Sequence, residues 1–208
     1  MTRSNDEASD LLRGYFGSRL ERYGRDPRGV DWQSGEAQTA RFAAVLTAVR
    51  SIGDLDGATL LDVGCGLGDF NGFLVARDVE IRYTGCDLSE PHIAAARAAY
   101  PSARFVAAGV RDFAARESFD YTVACGLMHL RVPRWPRWSW GLVRAMYAGS
   151  RRGLVFTLPE RGAGHPPALA TVDRSDWLAR VRTLAPGARV YPVDPWGDLV
   201  FTLPKTTS

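Results

Sequence analysis

From residue 57 to the C-terminus, the chain alternates short apolar runs with segments whose apolar residues repeat at helical spacing. The apolar runs predict strands at 58–63, 81–86, 103–107, 119–125 and 153–158, then a closing pair at 188–193 and 198–203. The segments between them predict helices near 69–77, 90–99, 138–149 and 173–184. Because alternation of this kind is typical of βαβ units, we predict an α/β fold. Its doubly wound sheet has five parallel strands plus a C-terminal antiparallel pair, joined through 194–197, with helices on both faces.

Upstream of these units, a helix is predicted over residues 36–50. Phe42, Val45, Leu46 and Val49 recur at the spacing of one helix face, and Gln38 falls inside that stripe. Arg41 lies on the edge of the stripe.

Residues 1–35 have a different character. They are polar, interrupted by glycines, and carry the aromatic residues Tyr15, Phe16, Tyr23 and Trp32. This pattern favours a short helix plus an irregular arm over a core element. We therefore divide the chain into an N-terminal arm, 1–35, and one domain, 36–208.

Composition narrows the class of protein. The chain has 208 residues, of which 46% are hydrophobic and 24% charged, as in ordinary globular domains. No run approaches the roughly 18 apolar residues of a membrane span, and Met1–Asp10 lacks the apolar segment of a secretory signal. Three cysteines match neither a disulfide framework nor a zinc site. We expect a soluble cytoplasmic protein with no membrane partner, and the net charge of +3 is too small to indicate a nucleic-acid partner.

A glycine-rich turn, D-V-G-C-G-L-G-D at 62–69, follows the first predicted strand. Glycines there let the backbone approach a ligand closely, and the start of the next helix directs N–H groups towards it. Asp87 ends the next strand, 23 residues after Gly64. A carboxylate at that point can accept both hydroxyls of a ribose bound over the turn. The alternative for such a turn is a tight connection without a ligand.

At these residues the sequence resembles the class I S-adenosylmethionine-dependent methyltransferases, from about residue 36 onward. A dehydrogenase turn reads G-x-G-x-x-G/A, and Asp69 stands at its third glycine position here. The resemblance implies a Rossmann-like fold of seven strands and S-adenosyl-L-methionine as cofactor. It also implies the cofactor-binding residues: Gly64, Cys65 and Gly66, with Gly68 of the same turn, at the methionyl part, Asp87 at the ribose and Leu88 at the adenine.

One position departs from the family pattern. The family usually has an aspartate where Gly109 stands, and its carboxylate accepts from the adenine amino group. Here only backbone groups of Gly109 and Val110 can do so, which removes a hydrogen bond worth about 0.5–1.5 kcal/mol. Cys125, at the end of the fourth strand, completes the predicted cofactor site. For Cys65, Cys86 and Cys125 alike we expect packing as small apolar side chains.

His129 closely follows the fourth strand, at the sheet edge where open α/β folds bind ligands. We predict it as the candidate general base, because an imidazole can take a proton at neutral pH. The alternative is a histidine that only packs or hydrogen-bonds beside the cleft, since the sulfonium is already an activated methyl donor. His165 and His92 are weaker candidates.

A basic aromatic stretch covers residues 131–152, with six arginines and the tryptophans Trp135, Trp138 and Trp140. An RNA-binding surface would combine arginines and stacking platforms in this way. An amphipathic helix covered by arginine stems is a second interpretation, and a pocket wall for an aromatic or anionic small acceptor is a third. The absence of an appended RNA-binding module favours the last two.

The arm is the other predicted component of the pocket. In small methyltransferases of this type, the segment before the first strand commonly folds over the cofactor as a lid. Arg41 could then meet the methionyl carboxylate, with Gln38 beside it. The alternative is a helix end where both side chains reach solvent.

We therefore predict a methyltransferase that transfers a methyl group to an oxygen or nitrogen of a small molecule. An RNA methyltransferase, or a cofactor-binding partner subunit without activity of its own, are the alternatives. The sequence has no Asn/Asp-Pro-Pro-Tyr signature, no paired catalytic cysteines and no acidic cluster for a divalent metal. These absences predict no metal and disfavour a nucleic acid, but they leave the acceptor unidentified.

Overall fold

Seven strands form a single sheet in the order β3-β2-β1-β4-β5-β7-β6. The structure is a computed structural model that describes residues 3–110, 113, 117–193 and 195–206, with side chains from residue 7 onward. The strands are β1 (Thr59–Val63), β2 (Arg82–Asp87), β3 (Arg104–Ala107), β4 (Phe119–Ala124), β5 (Ser150–Pro159), β6 (Arg189–Val193) and β7 (Asp198–Pro204). Neighbours among β1 to β5 are parallel, and β7 lies antiparallel to both β5 and β6. This arrangement confirms the predicted fold class.

The helices are α1 (Arg3–Tyr23), α2 (Gly35–Arg50), α3 (Asp69–Val75), α4 (Glu90–Ala99), α5 (Trp135–Gly149) and α6 (Arg174–Arg182), with a 3-10 helix at Pro27–Val30. Each predicted strand and helix from residue 36 onward is present, with ends that shift by a few residues. Residue 194 of the predicted turn lies outside the described residues.

Strand side chains alternate between two apolar layers, as a sheet covered on both faces requires. Leu60 packs into the layer that contains α2, α3 and α4, whereas its neighbour Leu61 packs into the layer that contains α1, α5 and α6. Val155 and Phe156 divide in the same way. Within the described part of the chain, no helix has the length and apolar character needed to cross a membrane.

The N-terminal segment differs from its prediction. Its helix is 21 residues long, and Ala8 and Leu12 are buried in the layer with α5 and α6. Phe16, one further turn along, packs partly buried against the same layer. These residues form a narrow apolar stripe at i, i+4 and i+8, which the polar remainder of the helix obscures. The helix is therefore docked on the core instead of lying outside it.

Arg41 forms a buried ion pair. Its guanidinium pairs with the Asp198 carboxylate of β7, and both side chains are less than 10% exposed. It also donates to the carbonyl of Ala37 at 3.0 Å and lies 5.0 Å from the centroid of the Trp32 ring. The edge of the α2 stripe faces the end of β7, where Asp198 supplies a buried partner. Arg41 thus joins α2 to β7, and its role as a cofactor ligand stays a prediction.

Replacing Arg41 by leucine tests this ion pair. We expect the free energy of unfolding to fall by roughly 3–5 kcal/mol, because Asp198 remains as a buried charge without its partner. Replacing Asp198 by leucine as well should recover part of that loss. Chemical denaturation measures the stability, and calorimetry with S-adenosylhomocysteine should show an affinity within about twofold of wild type. If a folded Arg41→Leu protein bound S-adenosylhomocysteine tenfold more weakly than wild type, Arg41 would be a cofactor ligand as the sequence predicts.

A second buried acid lies within the sheet itself. Asp62 of β1 is 3% exposed and accepts a hydrogen bond from the Tyr83 hydroxyl of β2 at 2.6 Å. Burial raises the pKa of Asp62 to about 7; the Tyr83 hydrogen bond opposes the rise, and the nearby Asp87 and Asp69 add to it. The carboxyl therefore keeps its proton in the folded protein at pH values where the unfolded chain has released it.

This difference predicts the sign of a pH effect. Between about pH 4 and pH 7 the native state binds the Asp62 proton and the unfolded state does not, so the contribution of Asp62 to stability declines as pH rises. The slope for one proton is at most about 1.4 kcal/mol per pH unit. Asp62→Asn removes that contribution. Denaturation curves at several pH values should show wild type losing stability relative to the variant across this window, and parallel curves would contradict the raised pKa.

Candidate functional site

One cavity of about 730 Å³ lies where the carboxyl ends of β1, β2 and β4 meet. Parallel strands bring their carboxyl ends to the same sheet edge, so residues far apart in sequence converge there. Most of the predicted cofactor residues line the cavity: Gly64, Cys65, Gly66, Asp87, Leu88, Gly109, Val110 and Cys125. Gly68, Arg41 and His129 are not among its lining residues.

The glycine turn is shaped by positive backbone angles. Gly66 has φ +52°, and a Cβ there would stand 3.0 Å from Val30 of the arm. Gly68 has φ +77° and precedes α3, and a Cβ there would stand 2.7 Å from the Phe105 ring. Both positions require glycine, for different reasons. Gly66 keeps the cavity floor open, whereas Gly68 shapes the turn next to it, and its contact with the cofactor stays a prediction.

Asp87 connects the two strand ends at the cavity floor. Its carboxylate accepts from the backbone N–H of Gly66 at 3.1 Å and from that of Ser89 at 2.8 Å. Burial raises the pKa of Asp87, and these two hydrogen bonds oppose the rise. The residue thus holds the glycine turn in place while its carboxylate lines the cavity. The Ser89 side chain does not cap α4; its hydroxyl contacts His92 Nδ1 at 2.7 Å.

At the predicted adenine end, the cavity offers backbone and apolar groups. Ala108, Gly109 and Val110 line it, and the Ala108 N–H donates to the Asp87 carbonyl at 2.9 Å. Opposite them, the carbonyl of Leu88 accepts from Arg13 of α1 at 3.3 Å. The arm therefore reaches the residue predicted to pack on the adenine.

The three cysteines lie together at this sheet edge, and all of them line the cavity. Burial raises the pKa of each thiol, and the nearby Asp62 carboxyl raises it further. A thiol with a raised pKa is neutral at physiological pH and is a poor nucleophile. They act as apolar lining. Among the described residues, no group of three or more His, Cys, Asp or Glu is arranged to hold a metal ion.

Asp69 is the site residue whose role sequence reasoning missed. Its carboxylate accepts from Gln38 Nε2 at 3.1 Å and forms an ion pair with Arg25 at 3.0 Å. Burial raises the pKa of Asp69, and the contacts to Gln38 and Arg25 oppose the rise. Because Arg25 also donates to the Leu67 carbonyl at 3.2 Å, the arm is tied directly to the glycine turn. The only sequence signal was an acid in place of a third dehydrogenase glycine.

Apolar side chains of the arm cover the cavity. Leu12 and Phe16 of α1 line it, followed by Val30 and Trp32. Trp138 of α5 lines it as well, together with the neighbouring Leu142. The cavity is thus polar and acidic at the strand ends and aromatic along the arm and α5.

His129 lies beside the cavity but is turned towards the arm. Its Nε2 is 2.9 Å from the Asp31 carboxylate, and its Nδ1 contacts the Gly126 carbonyl. Both ring nitrogens thus contact oxygen atoms of the protein. Asp31 also pairs with Arg19 at 3.0 Å. Burial would raise the pKa of Asp31, but hydrogen bonds from His129 and Tyr15 and the charge of Arg19 outweigh it and lower that pKa.

The two weaker histidine candidates are also engaged. His92 lines the cavity but is 1% exposed and contacts Ser89. His165 contacts the Gly197 carbonyl at 2.7 Å and is not part of the cavity wall. Neither ring is placed as an accessible proton acceptor.

Comparisons with known proteins agree with this geometry. The family model described as "Methyltransferase domain" matches residues 60–149. A protein of Mycobacterium tuberculosis (strain ATCC 25618 / H37Rv) named as a candidate methyltransferase is 31% identical over 115 residues, which cover 52% of this chain and 67% of that protein. The trans-aconitate 2-methyltransferase of Enterobacter sp. (strain 638) is 38% identical over 88 residues, or 42% of this chain. That match spans only 34% of the length of the Enterobacter enzyme.

A solved structure extends the likeness to the whole chain. The 1,6-didemethyltoxoflavin-N1-methyltransferase of Burkholderia thailandensis, bound to its substrate and S-adenosylhomocysteine, has a TM-score of 0.70 at 22% identity. The alignment covers 100% of this chain and 92% of that one. At this identity the likeness concerns the fold. The chain belongs to the class I S-adenosylmethionine-dependent methyltransferases.

Proposed function

We propose that this protein transfers the methyl group of S-adenosylmethionine to an oxygen or nitrogen of a small, uncharged and largely apolar acceptor. The proposal rests on the cavity itself. It joins the glycine turn and Asp87 to an aromatic wall within one volume of about 730 Å³, and the arm covers it. That volume lies in the range of pockets that enclose small molecules.

The residues present fit the cofactor. Gly66 leaves an opening that a Cβ would fill, and the half-buried Asp87 carboxylate, which lines the cavity, can accept hydroxyl hydrogen bonds at the end of β2. The backbone groups of Gly109 and Val110 line the cavity where they can hydrogen-bond to the adenine ring. When bound, S-adenosylmethionine supplies a methyl group on a positively charged sulfonium. Asp69 and Asp87, whose carboxylates accept N–H hydrogen bonds from Gln38 and Gly66, give the cavity an acidic side that favours such a cation.

The charge of the cavity wall also indicates which kind of methyl acceptor fits. Four aspartates line the cavity, and Arg13, the one arginine of its described lining, is already paired with Asp10 at 2.8 Å. A polycarboxylate such as the substrate in the name of the Enterobacter relative would meet like charge there. Phe16, Trp32 and Trp138 instead offer apolar surface. An uncharged aromatic or aliphatic acceptor matches this wall.

Two features weigh against an RNA acceptor. Trp135 and Trp138 are each 8% exposed, which leaves too little ring surface for the successive bases of a strand to stack on. The arm also covers the cavity with Leu12 and Phe16, which leaves little room for a polymer.

No histidine of the described residues is placed as an accessible general base in the cavity, since His92 is buried and His129 is bound to Asp31. We therefore infer that rate acceleration comes from positioning and from exclusion of water by the arm. His129 then acts as an anchor for the arm and not as a proton acceptor.

The proposed function is tested by incubating the protein with S-adenosylmethionine and matched acceptors: a phenol, an aromatic amine and an aromatic carboxylate. We expect more S-adenosylhomocysteine to accumulate with the phenol and the aromatic amine than with the carboxylate.

The cofactor site is tested by Asp87→Ala. This variant should bind the cofactor at least tenfold more weakly, because two ribose hydroxyls lose a charged acceptor worth roughly 1.5–3 kcal/mol. Glu80→Ala, which removes an exposed acid outside the cavity, is the control. Tight cofactor binding without turnover of any acceptor would favour a partner subunit instead.

The role of His129 has its own test. A general base contributes typically 10²–10⁴-fold, so loss of an anchor should be much smaller. We expect His129→Ala to lower kcat less than tenfold and to raise KM for the acceptor, with no change in the acidic limb of the pH profile. Asp31→Asn should have at least as large an effect, because it also weakens the pair with Arg19, and the double variant should be no worse than Asp31→Asn alone. A hundredfold loss of kcat in His129→Ala but not in Asp31→Asn would restore the general base.

A further inference from the structure

A second cavity, of about 390 Å³, lies on the other side of the segment that follows β4. It is lined by Arg131 and Trp135 of that segment, Arg161 of the loop after β5, and Trp177 and Arg180 of α6. No residue that lines it also lines the first cavity. Along α5, Trp135 belongs to the second cavity and Trp138 to the first, so the start of α5 separates the two.

The rim of this cavity is built by backbone pairing. Leu130 and Leu169 form an antiparallel bridge, and Glu160 and Val172 form a parallel one. The Ala170 N–H donates to the His129 carbonyl at 2.8 Å. Because these contacts tie the loop after β5 to the segment after β4, the cavity is preformed.

Charge in this cavity is unbalanced. None of Arg131, Arg161 and Arg180 forms an ion pair with a carboxylate of the described residues, whereas the adjacent Arg174 pairs with Glu160 at 2.9 Å. Two aspartates also line the cavity.

Of the two acids, Asp173 is engaged at the start of α6, where it accepts from the backbone N–H of Ser175 at 2.9 Å and of Asp176 at 3.1 Å. Asp176 has no such role. Three arginines and two aspartates thus line the cavity. The cavity therefore has an excess of positive charge.

Two tryptophan side chains, Trp135 and Trp177, form the floor of the second cavity. The rings of Trp135 and Trp177 lie 5.8 Å apart between centroids, and both side chains are less than 9% exposed. The Arg180 guanidinium lies 4.4 Å from the centroid of the Trp140 ring and 5.6 Å from that of Trp177. Burial lowers the pKa of Arg180, which means that its charge is partly desolvated. A bound anion would supply the hydrogen-bond partners that this guanidinium has exchanged for aromatic rings.

We propose that the second cavity binds a small anion, a carboxylate or a phosphate attached to a planar apolar group, at Arg131, Arg161 and Arg180 over the Trp135–Trp177 floor. The site is separate from the cofactor cavity and does not depend on the proposed methyl transfer. It also assigns a role to part of the arginine- and tryptophan-rich stretch of the sequence. The ligand's anionic group faces the arginines, and its planar group packs on the tryptophans.

Benzoate is a suitable probe, with benzamide as its uncharged counterpart. Calorimetry on the full chain at low ionic strength should show saturable binding of one benzoate, with benzamide at least tenfold weaker. Saturating S-adenosylhomocysteine should leave benzoate binding unchanged, since the two cavities share no residue. Competition between benzoate and S-adenosylhomocysteine would overturn the proposal, as would equal binding of the neutral probe.

Variants on the cavity wall provide the second arm of the test. Arg131→Ala and Arg180→Ala should each weaken benzoate binding about tenfold, because each removes a charge-assisted contact. Asp176→Asn should strengthen it several-fold by removing a like charge, a gain that unfolding cannot produce. Arg144→Ala, an exposed arginine of α5 outside the cavity, is the matched control and should change nothing. A loss in Arg144→Ala equal to that in Arg131→Ala would reduce the effect to general surface charge.

One further result would overturn the small-molecule assignment. If a short RNA bound more tightly than benzoate, lost affinity in the same arginine variants and showed a steep salt dependence, the cavity would belong to a nucleic-acid surface.

Discussion

The half-buried carboxylate of Asp87 is the constraint on which the site depends. It accepts backbone N–H groups from Gly66 and Ser89, so the end of β2 holds the turn that follows β1. A carboxylate in this position is costly to bury unless it is hydrogen-bonded, and the backbone donors meet that cost. Since Gly66 can adopt φ +52° with no side chain in the way, the turn stays open towards the cavity. The ribose site and the turn are therefore one structural unit.

The N-terminal arm is joined to this unit by charged groups. Arg25 reaches Asp69 and the Leu67 carbonyl of the glycine turn, while Asp31 joins Arg19 to His129 at the other side of the cavity. Apolar contacts of Ala8 and Leu12 add a second attachment on the core. The arm thus completes the cavity wall and also restricts access to it, which is the arrangement expected of an enzyme that excludes water from a reactive methyl donor.

The two cavities have opposite electrostatic character although one short segment separates them. The first has four aspartates in its wall, and the second has three arginines without ion pairs in the described residues. A cationic cofactor suits the first and an anion suits the second. This separation of charge also explains why a chain with a net charge of only +3 can carry a distinctly basic pocket.

The sequence by itself determined the fold class, the order of the strands and helices from residue 36 onward, and the cavity floor at Gly64, Gly66 and Asp87. These follow from local rules, because periodicity and glycine turns act over a few residues. Tertiary structure decided the rest. Arg41 pairs with the buried Asp198, 157 residues away in sequence, and His129 contacts Asp31, 98 residues away. Partners at such distances leave no periodic signal in the chain, since they depend on which helix face meets which strand end once the sheet has formed.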